Sequence, residues 1–512
     1  MLSFFTGCAV QKETERWNRV IDTHLPVITV ESPAPEPGQD ILTQSGPLKL
    51  SVEQAVMSAL SNNRDLHIQI LAPVKAGTFD LIERAAFDPE LFATIAFDAE
   101  DSIDTSDTGR ETSVTDKTIE STMGIRKTFF MGTTMEATIS HERLDEEGDP
   151  TTRETRVGLT LTQALLNGFG NSVNLVGVRQ AYLDLAVSME ELRGVTQALV
   201  ADTEILYWHF VLARRKIAIF EESLGVAKKQ RDEIEQQIGV GLLPKMEAAA
   251  ARSEVALREQ DLIDAKSLAE TQRLKLVRLI NPGGEPGFDR ALIPTGDPVI
   301  DTTQVTDPAD RINLAHARRP DLREARLRLE KNRLETVQTR NGLLPRLDLF
   351  ITLGRTGYAH SFMDSFQDIG DDDLTDIRVG LSLTHMVGNR ENRAIHESAF
   401  ASRRQAELAV ANLCDIIDLD VRLAINEVNR TARQITATHT TRLFQEETWQ
   451  AEKNRFDVGS STALMVAQAQ RDLLTAKIAE VEAIVTYRIS LVNLHLAQGT
   501  LLEMRGIKMT NA

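Results

Sequence analysis

Few residues in this 512-residue chain combine the type and the spacing that chemistry demands. His396-Glu397-Ser398-Ala399-Phe400 begins like a zinc-protease helix, but the second histidine one turn on is missing. Gly168-Phe169-Gly170 is a fragment of a phosphate-binding loop with no lysine behind it. No Ser-His-Asp set can be assembled from spacing. The two cysteines, Cys8 and Cys414, make no metal-ligand pattern, although a single disulfide between them stays open. The expectation is a protein that is not an enzyme and holds no cofactor or metal.

What must these residues be mounted on? A formal net charge of −18 argues against nucleic acid as a partner, because phosphate neutralisation needs clustered Lys and Arg. Hydrophobic residues at 42% and charged ones at 26% fit a folded chain. No apolar run approaches the roughly 20 residues of a membrane-spanning helix. If the chain crosses a membrane, it must do so as a closed β-barrel. Near the N-terminus, Leu2-Ser3-Phe4-Phe5-Thr6-Gly7-Cys8 ends with small residues before a cysteine, as a bacterial lipidation signal does. Phe5 stands where Leu is usual, and no basic segment precedes it. Either Cys8 is a lipidation site or it is incidental. Pro33, Pro35, Pro37 and Pro47 mark 1–47 as a signal-like segment followed by an extended linker.

An internal repeat organises the rest. Asp65-Leu66 matches Asp321-Leu322 at an offset of 256 (321 − 65), and without a gap Pro89 matches Pro345, Leu91 matches Leu347 and Ile95 matches Ile351. Arg156-Val157-Gly158-Leu159-Thr160-Leu161-Thr162 then matches Arg378-Val379-Gly380-Leu381-Ser382-Leu383-Thr384 at 222 (378 − 156), leaving 34 extra residues (256 − 222) in the first half. Val240-Gly241 matches Val458-Gly459 at 218 (458 − 240). The repeats span 48–280 and 307–499, joined by a linker at 281–306 and followed by a tail at 500–512.

Within each repeat the hydrophobic period changes from helix to strand and back. Leu91, Ala93, Ile95 and Phe97 alternate with less apolar neighbours, as do Leu347 to Leu353, Val157 to Leu161 and Val379 to Leu383. One apolar and one small or polar face suits a barrel strand between lipid and water; a half-buried soluble strand has the same pattern. In the extra stretch Met135, Ala137 and Ile139 alternate too, and Gly132 can turn the chain after Phe129-Phe130, which predicts an additional hairpin. The polar stretches Asp98 to Glu120 and His360 to Asp376 are expected to be solvated loops, with cation binding a weaker idea for Asp371-Asp372-Asp373.

Helices are expected at Ser51 to Ala85, Asn171 to Ile238, Lys245 to Ile280, Asp307 to Arg340, Arg390 to Phe456 and Thr462 to Ala497. Leu206, Phe210, Ala213, Ile217, Phe220 and Leu224 step by three and four, as do Leu474, Ile478, Val481 and Val485, the period of helices packed side by side. The long helices run to about 100 Å at 1.5 Å per residue. Two shorter ones sum to each of them, which suits a straight-walled tube. A soluble coiled-coil scaffold or adaptor is the rival; it leaves the duplicated strands unexplained.

In order and twice over, these motifs resemble the TolC-type outer-membrane efflux family across about Leu48 to Gly499. The most specific piece is Arg455-Phe456-Asp457-Val458-Gly459-Ser460-Ser461-Thr462-Ala463-Leu464, similar to the family's periplasmic helix turn. Ile238-Gly239-Val240-Gly241-Leu242-Leu243-Pro244 is its first-repeat counterpart. Gln163-Ala164-Leu165-Leu166-Asn167-Gly168 resembles the exit from the barrel, with Ala164 where proline is usual. The resemblance implies a mixed α and β fold: long antiparallel helices forming an α-helical tunnel, and a few transmembrane strands contributed to a shared trimeric β-barrel. It implies a homotrimer in outer-membrane lipid that serves efflux or type I secretion. A periplasmic adaptor would dock at Gly241, Leu242, Gly459 and Ser460, coupling the channel to an inner-membrane pump of RND or ABC type. Where some members narrow the tunnel entrance with carboxylates, this chain has Met465 and Gln468. Glu247 keeps a carboxylate after the first tip.

Overall fold

The computed structural model describes residues 27–30, 47–105, 111–145, 151–280, 288–296, 305–371 and 375–510. Cys8, the proline-rich stretch before Pro47, and Asp372 with Asp373 lie outside them. The chain divides into two compact units, each drawing on both sequence repeats: residues 1–74, 188–324 and 410–512 form one, and 75–187 with 325–409 the other.

Helices make up most of the first unit and continue into the second. Ser51 caps α1 (Val52–Asn62): its hydroxyl accepts from the Gln54 N–H while the Gln54 side chain accepts from the Ser51 N–H. The chain breaks at Asn63, whose side chain accepts from the Leu66 N–H to open α2 (Arg64–Gly77); a second break precedes α3 (Phe79–Ala85). The single helix expected from Ser51 to Ala85 is therefore three. In the second repeat α7 (Pro308–Arg318) and α8 (Pro320–Gly342) are divided at Arg319, because the residue before a proline is pushed out of the helical region. Arg319 and Asn63 are 256 residues apart (319 − 63), the offset of the flanking landmarks. The break is duplicated with the sequence. Arg319 is held in place by Asp321 at 2.7 Å and Asp420 at 2.9 Å.

The long helices are α5 (Val176–Gly239, after the short α4, Asn171–Asn174), α6 (Glu247–Ile280), α10 (Arg390–Asp457) and α11 (Ala463–Ala497). Their ends fall within two or so residues of expectation, apart from the extra turn that is α4. Phe210, Ala213 and Ile234 on α5 and Leu474, Val485 and Val492 on α11 are buried, as the three-and-four spacing requires. Tyr207, fully buried, donates to the Leu50 carbonyl at 3.1 Å and accepts from the Gly296 N–H at 2.9 Å. Those bonds tie α5 to a parallel pair, β2 (Leu48–Leu50) with β7 (Leu292–Pro294). A second pair joins β1 (Val27–Val30) to β10 (Ile507–Thr510), after the short α12 (Leu501–Met504). These strands are too short to show a period in sequence.

The second unit carries a six-stranded antiparallel sheet in the order β3 (Glu90–Thr105), β4 (Glu111–Thr128), β5 (Thr133–Asp145), β6 (Thr152–Ala164), β8 (Arg346–Ala359), β9 (Thr375–Thr384). The extra first-repeat residues are the β4–β5 hairpin, inserted in register between β3 and β6. Two expected loops are corrected. Between Asp98 and Glu120 the β3–β4 ladder continues to Thr105 opposite Glu111, because threonine-rich polar strands pair readily once their ladder is started. Asp101 accepts from the Thr115 hydroxyl there at 2.8 Å. Between His360 and Asp376 the chain forms α9 (Phe362–Asp371) against β6 and β8.

Candidate functional site

Register fixes which residues share a face of the sheet. Val157 lies opposite Ile139 on β5 and opposite Arg355 on β8; Leu159 lies between Ala137 and Leu353, and Leu161 between Met135 and Ile351. Continuing outward, Ile139 meets Met123 and Ala137 meets Ile125, while Ile351 meets Val379 and Leu353 meets Ile377. One face is thus an apolar band, bordered on β8 by Arg355. It is not covered by the chain: Leu91 is 80% exposed, Ile95 82% and Leu383 67%. From Leu347 to Leu353 the band runs about 20 Å along the strand at about 3.4 Å per residue. A soluble sheet would bury such a face or replace it; a lipid-facing barrel strand needs it.

The opposite face is largely polar, with Phe92 lying over Gly124 and Phe350 over Gly380. Glu136 accepts from Arg126 at 2.7 Å, Arg156 pairs with Asp376 at 2.5 Å, and Thr160 bonds Thr352. Alternation of lipid-side and water-side residues along all six strands is the signature of a membrane barrel wall. Both outer strands, β3 and β9, leave an edge without a partner among the described residues. No described helix is long and apolar enough to cross a membrane.

The two helix turns of the first unit are built alike. At the end of α5 the Leu242 N–H donates to the Gln237 carbonyl at 2.9 Å and the Gly241 N–H to Ile238 at 3.0 Å. At the end of α10 the Ser460 N–H donates to Arg455 at 2.8 Å and the Gly459 N–H to Phe456 at 2.9 Å. This double closure requires a left-handed residue just past the helix; φ is +82° at Gly241 and +77° at Gly459. Thr462 then caps α11 through the Met465 N–H. Ile234, Ala251 and Ala463 pack under the turns with Ile238, Leu243 and Phe456, so both tips share one small core.

Above that core the tips present apolar side chains to solvent: Val240, Leu242, Met246, Val458, Leu464 and Met465 are all exposed. Gly241, Gly459, Ser460 and Gln468 are exposed as well, and Glu247 is half-buried. One feature near the tips had no sequence signal. Arg258 and Glu254 form a buried i,i+4 ion pair, with Asp261 as a second acceptor at 2.9 Å. Charged residues one turn apart on a helix are ordinarily solvated, and only packing against a neighbouring helix reveals the difference.

A sheet with a bare apolar face and a polar one, and long paired helices with matched tips, define a barrel-forming membrane channel subunit. The chain belongs to the outer membrane efflux protein family, whose model matches residues 131–282 and 311–500. It is an outer-membrane efflux channel of the TolC type, a transport protein and not an enzyme. Solved structures share the fold. A membrane protein from Pseudomonas aeruginosa is 21% identical, with 92% of this chain and 99% of that one covered and a TM-score of 0.64. The outer membrane channel MtrE of Neisseria gonorrhoeae, in its open state, is 18% identical over 88% and 89% of the two chains, with a TM-score of 0.62. The CmeC outer membrane channel of Campylobacter jejuni is 15% identical over 93% and 95%, with a TM-score of 0.64. No curated protein matches the chain.

Proposed function

We propose that this chain is the outer-membrane component of a tripartite efflux or secretion system, a passive exit for substrates handed on by an inner-membrane pump through a periplasmic adaptor. Channels of this family are trimeric parts of tripartite efflux pumps. The repeats at 48–280 and 307–499 would each supply strands to the barrel and helices to a periplasmic tunnel. Trimerisation is supported by the unpaired edges of β3 and β9 and by exposed apolar residues along α10: Leu408, Leu419, Leu423, Leu443 and Phe444. Unpaired edges and bare apolar stripes are costly in a monomer and are satisfied by neighbours.

The matched tips carry the docking assignment. Rigid, doubly closed turns bearing Val240, Leu242, Val458 and Ser460 offer a fixed shape, which suits a partner that reads shape. Met465 and Gln468 at the second tip leave the entrance without a carboxylate there. Selection of cargo then falls to the pump. The test is the pair Gly241→Val and Gly459→Val. A β-branched residue at positive φ strains each turn by about 1 kcal/mol or more. That is small beside the packing of helices this long, so abundance and trimer formation should persist. Efflux and adaptor cross-linking should be lost. Wild-type levels of both in the double variant would remove the docking role from the tips.

A further inference from the structure

The helix α9 has no part in the barrel wall or the tips, yet its placement is specific. Phe362 stacks edge-on against His141 of β5 with ring centroids 4.8 Å apart. Three residues on, the buried Ser365 hydroxyl bonds the buried Thr155 hydroxyl of β6 at 2.7 Å. A Cβ on Gly357 of β8 would meet the Ser365 carbonyl oxygen at 2.2 Å and Ile369 at 2.9 Å, so only glycine admits the helix this close. From Phe362 to Ile369 the helix therefore crosses β5, β6 and β8 instead of running along them. A helix that crosses steeply tilted barrel strands can lie along the membrane plane.

His141, Thr155 and Gly357 stand opposite one another in the ladder, on the face that carries the apolar band, one step beyond Ile139 and Val157. So α9 lies on the lipid side of the sheet, at the band's upper border. Its own sides are sorted. The Asp368 carboxylate accepts from the Tyr358 N–H at 3.0 Å, further along β8 from the band than Gly357. At about 100° per residue, Asp364 shares that outward side, while Phe362 and Phe366 fall on the side toward the band and Met363 points away from the sheet. Phe362, Met363 and Phe366 are 50%, 60% and 47% exposed.

We propose that α9 is an interfacial anchor, lying in the outer boundary of the membrane with Phe362, Met363 and Phe366 among lipid acyl chains; this rests on the apolar band being lipid-facing. The occupant is lipid and not a second copy, because α9 covers the lipid-side face of β5, β6 and β8, whereas neighbouring chains would join through the strand edges of β3 and β9. Barrels carry aromatic girdles at both interfaces. At the opposite border, exposed Phe129 and Phe130 sit at the β4–β5 turn. Over β5, β6 and β8 the strands bring Arg355, His141, Thr155 and Gly357 to the upper border, with no phenylalanine, tyrosine or tryptophan among them, and α9 supplies the rings.

The test attaches an environment-sensitive dye to cysteine introduced as Met363→Cys, Asp364→Cys or Leu381→Cys, each with Cys414→Ser and with Cys8 kept, the Cys414→Ser protein alone giving the dye background. The full-length protein is reconstituted in phosphatidylcholine vesicles containing lipid with a nitroxide near the head of its acyl chain. The dye at 363 should be quenched about threefold more than that at 364, as insertion of one face requires. Equal, weak quenching at 363 and 364 with strong quenching at 381 would overturn the anchor and leave the barrel intact. Weak quenching at all three sites would remove the lipid-facing band itself. Energy transfer between dyes at 363 on different trimers, without lipid quenching, would overturn the anchor in favour of protein contact.

Discussion

At the scale of single residues, the most telling group is one that sequence could not single out. Arg258 and Glu254 are side chains with 6% and 8% exposure, so each neutralises a charge the interior would otherwise reject. Arg258→Leu alone leaves Glu254 with only the more distant Arg471 guanidinium at 3.9 Å and should cost about 3 kcal/mol, whereas Glu254→Leu with Arg258→Leu should cost far less. Denaturant unfolding of the two variants measures the difference; equal losses would mean that Arg471 or water takes over the carboxylate. His495 behaves differently. Burial, then Arg311 and Arg505 nearby, hold its pKa below the ordinary histidine value. The unfolded chain thus binds this proton more readily than the folded one, so stability rises with pH and is lost as pH falls below about 6.5. Between about pH 7.5 and 5.5 the melting temperature should fall less in His495→Gln than in wild type. Identical slopes would exclude His495 as a contributor. The tip glycines, by contrast, were legible, since a Val-Gly pair after a long apolar period leaves a reversing helix few alternatives.

At the scale of elements, legibility followed the length of the pattern. Helices α5, α6, α10 and α11 were found nearly to the residue because the three-and-four spacing recurs over many turns. Strands β6, β8 and β9 were found because apolar alternation appears twice. The hairpin β4–β5 rested on three alternating residues and a turn glycine. The polar continuation of β3 and β4 beyond Phe97 was missed: with water on both sides, a strand has no apolar face to announce it. Helix α9 was hidden for another reason. Ten residues rich in aspartate, in a stretch between two strands, look like a solvated loop until a sheet is available to receive Ser365 and Ile369. The duplicated breaks at Asn63 and Arg319 were missed because a kink leaves the hydrophobic period almost undisturbed.

At the scale of the whole molecule, one sheet of six strands cannot close on itself while β3 and β9 remain unpaired. Barrel diameter grows roughly in proportion to strand number, so the inserted β4–β5 hairpin bears directly on the width of the exit. Three chains with six strands each would close an eighteen-stranded wall, in the size range of barrels that leave an aqueous channel. The second repeat supplies two of the six and the first repeat four. Electron cryomicroscopy of the protein purified in mild detergent and placed in a lipid nanodisc, viewed down the barrel, counts the strands and the chains at once. A closed wall of eighteen strands from three chains is expected, with β9 of one chain beside β3 of the next. A well-ordered monomer, or a closed wall from which the β4–β5 hairpin is excluded, would contradict it.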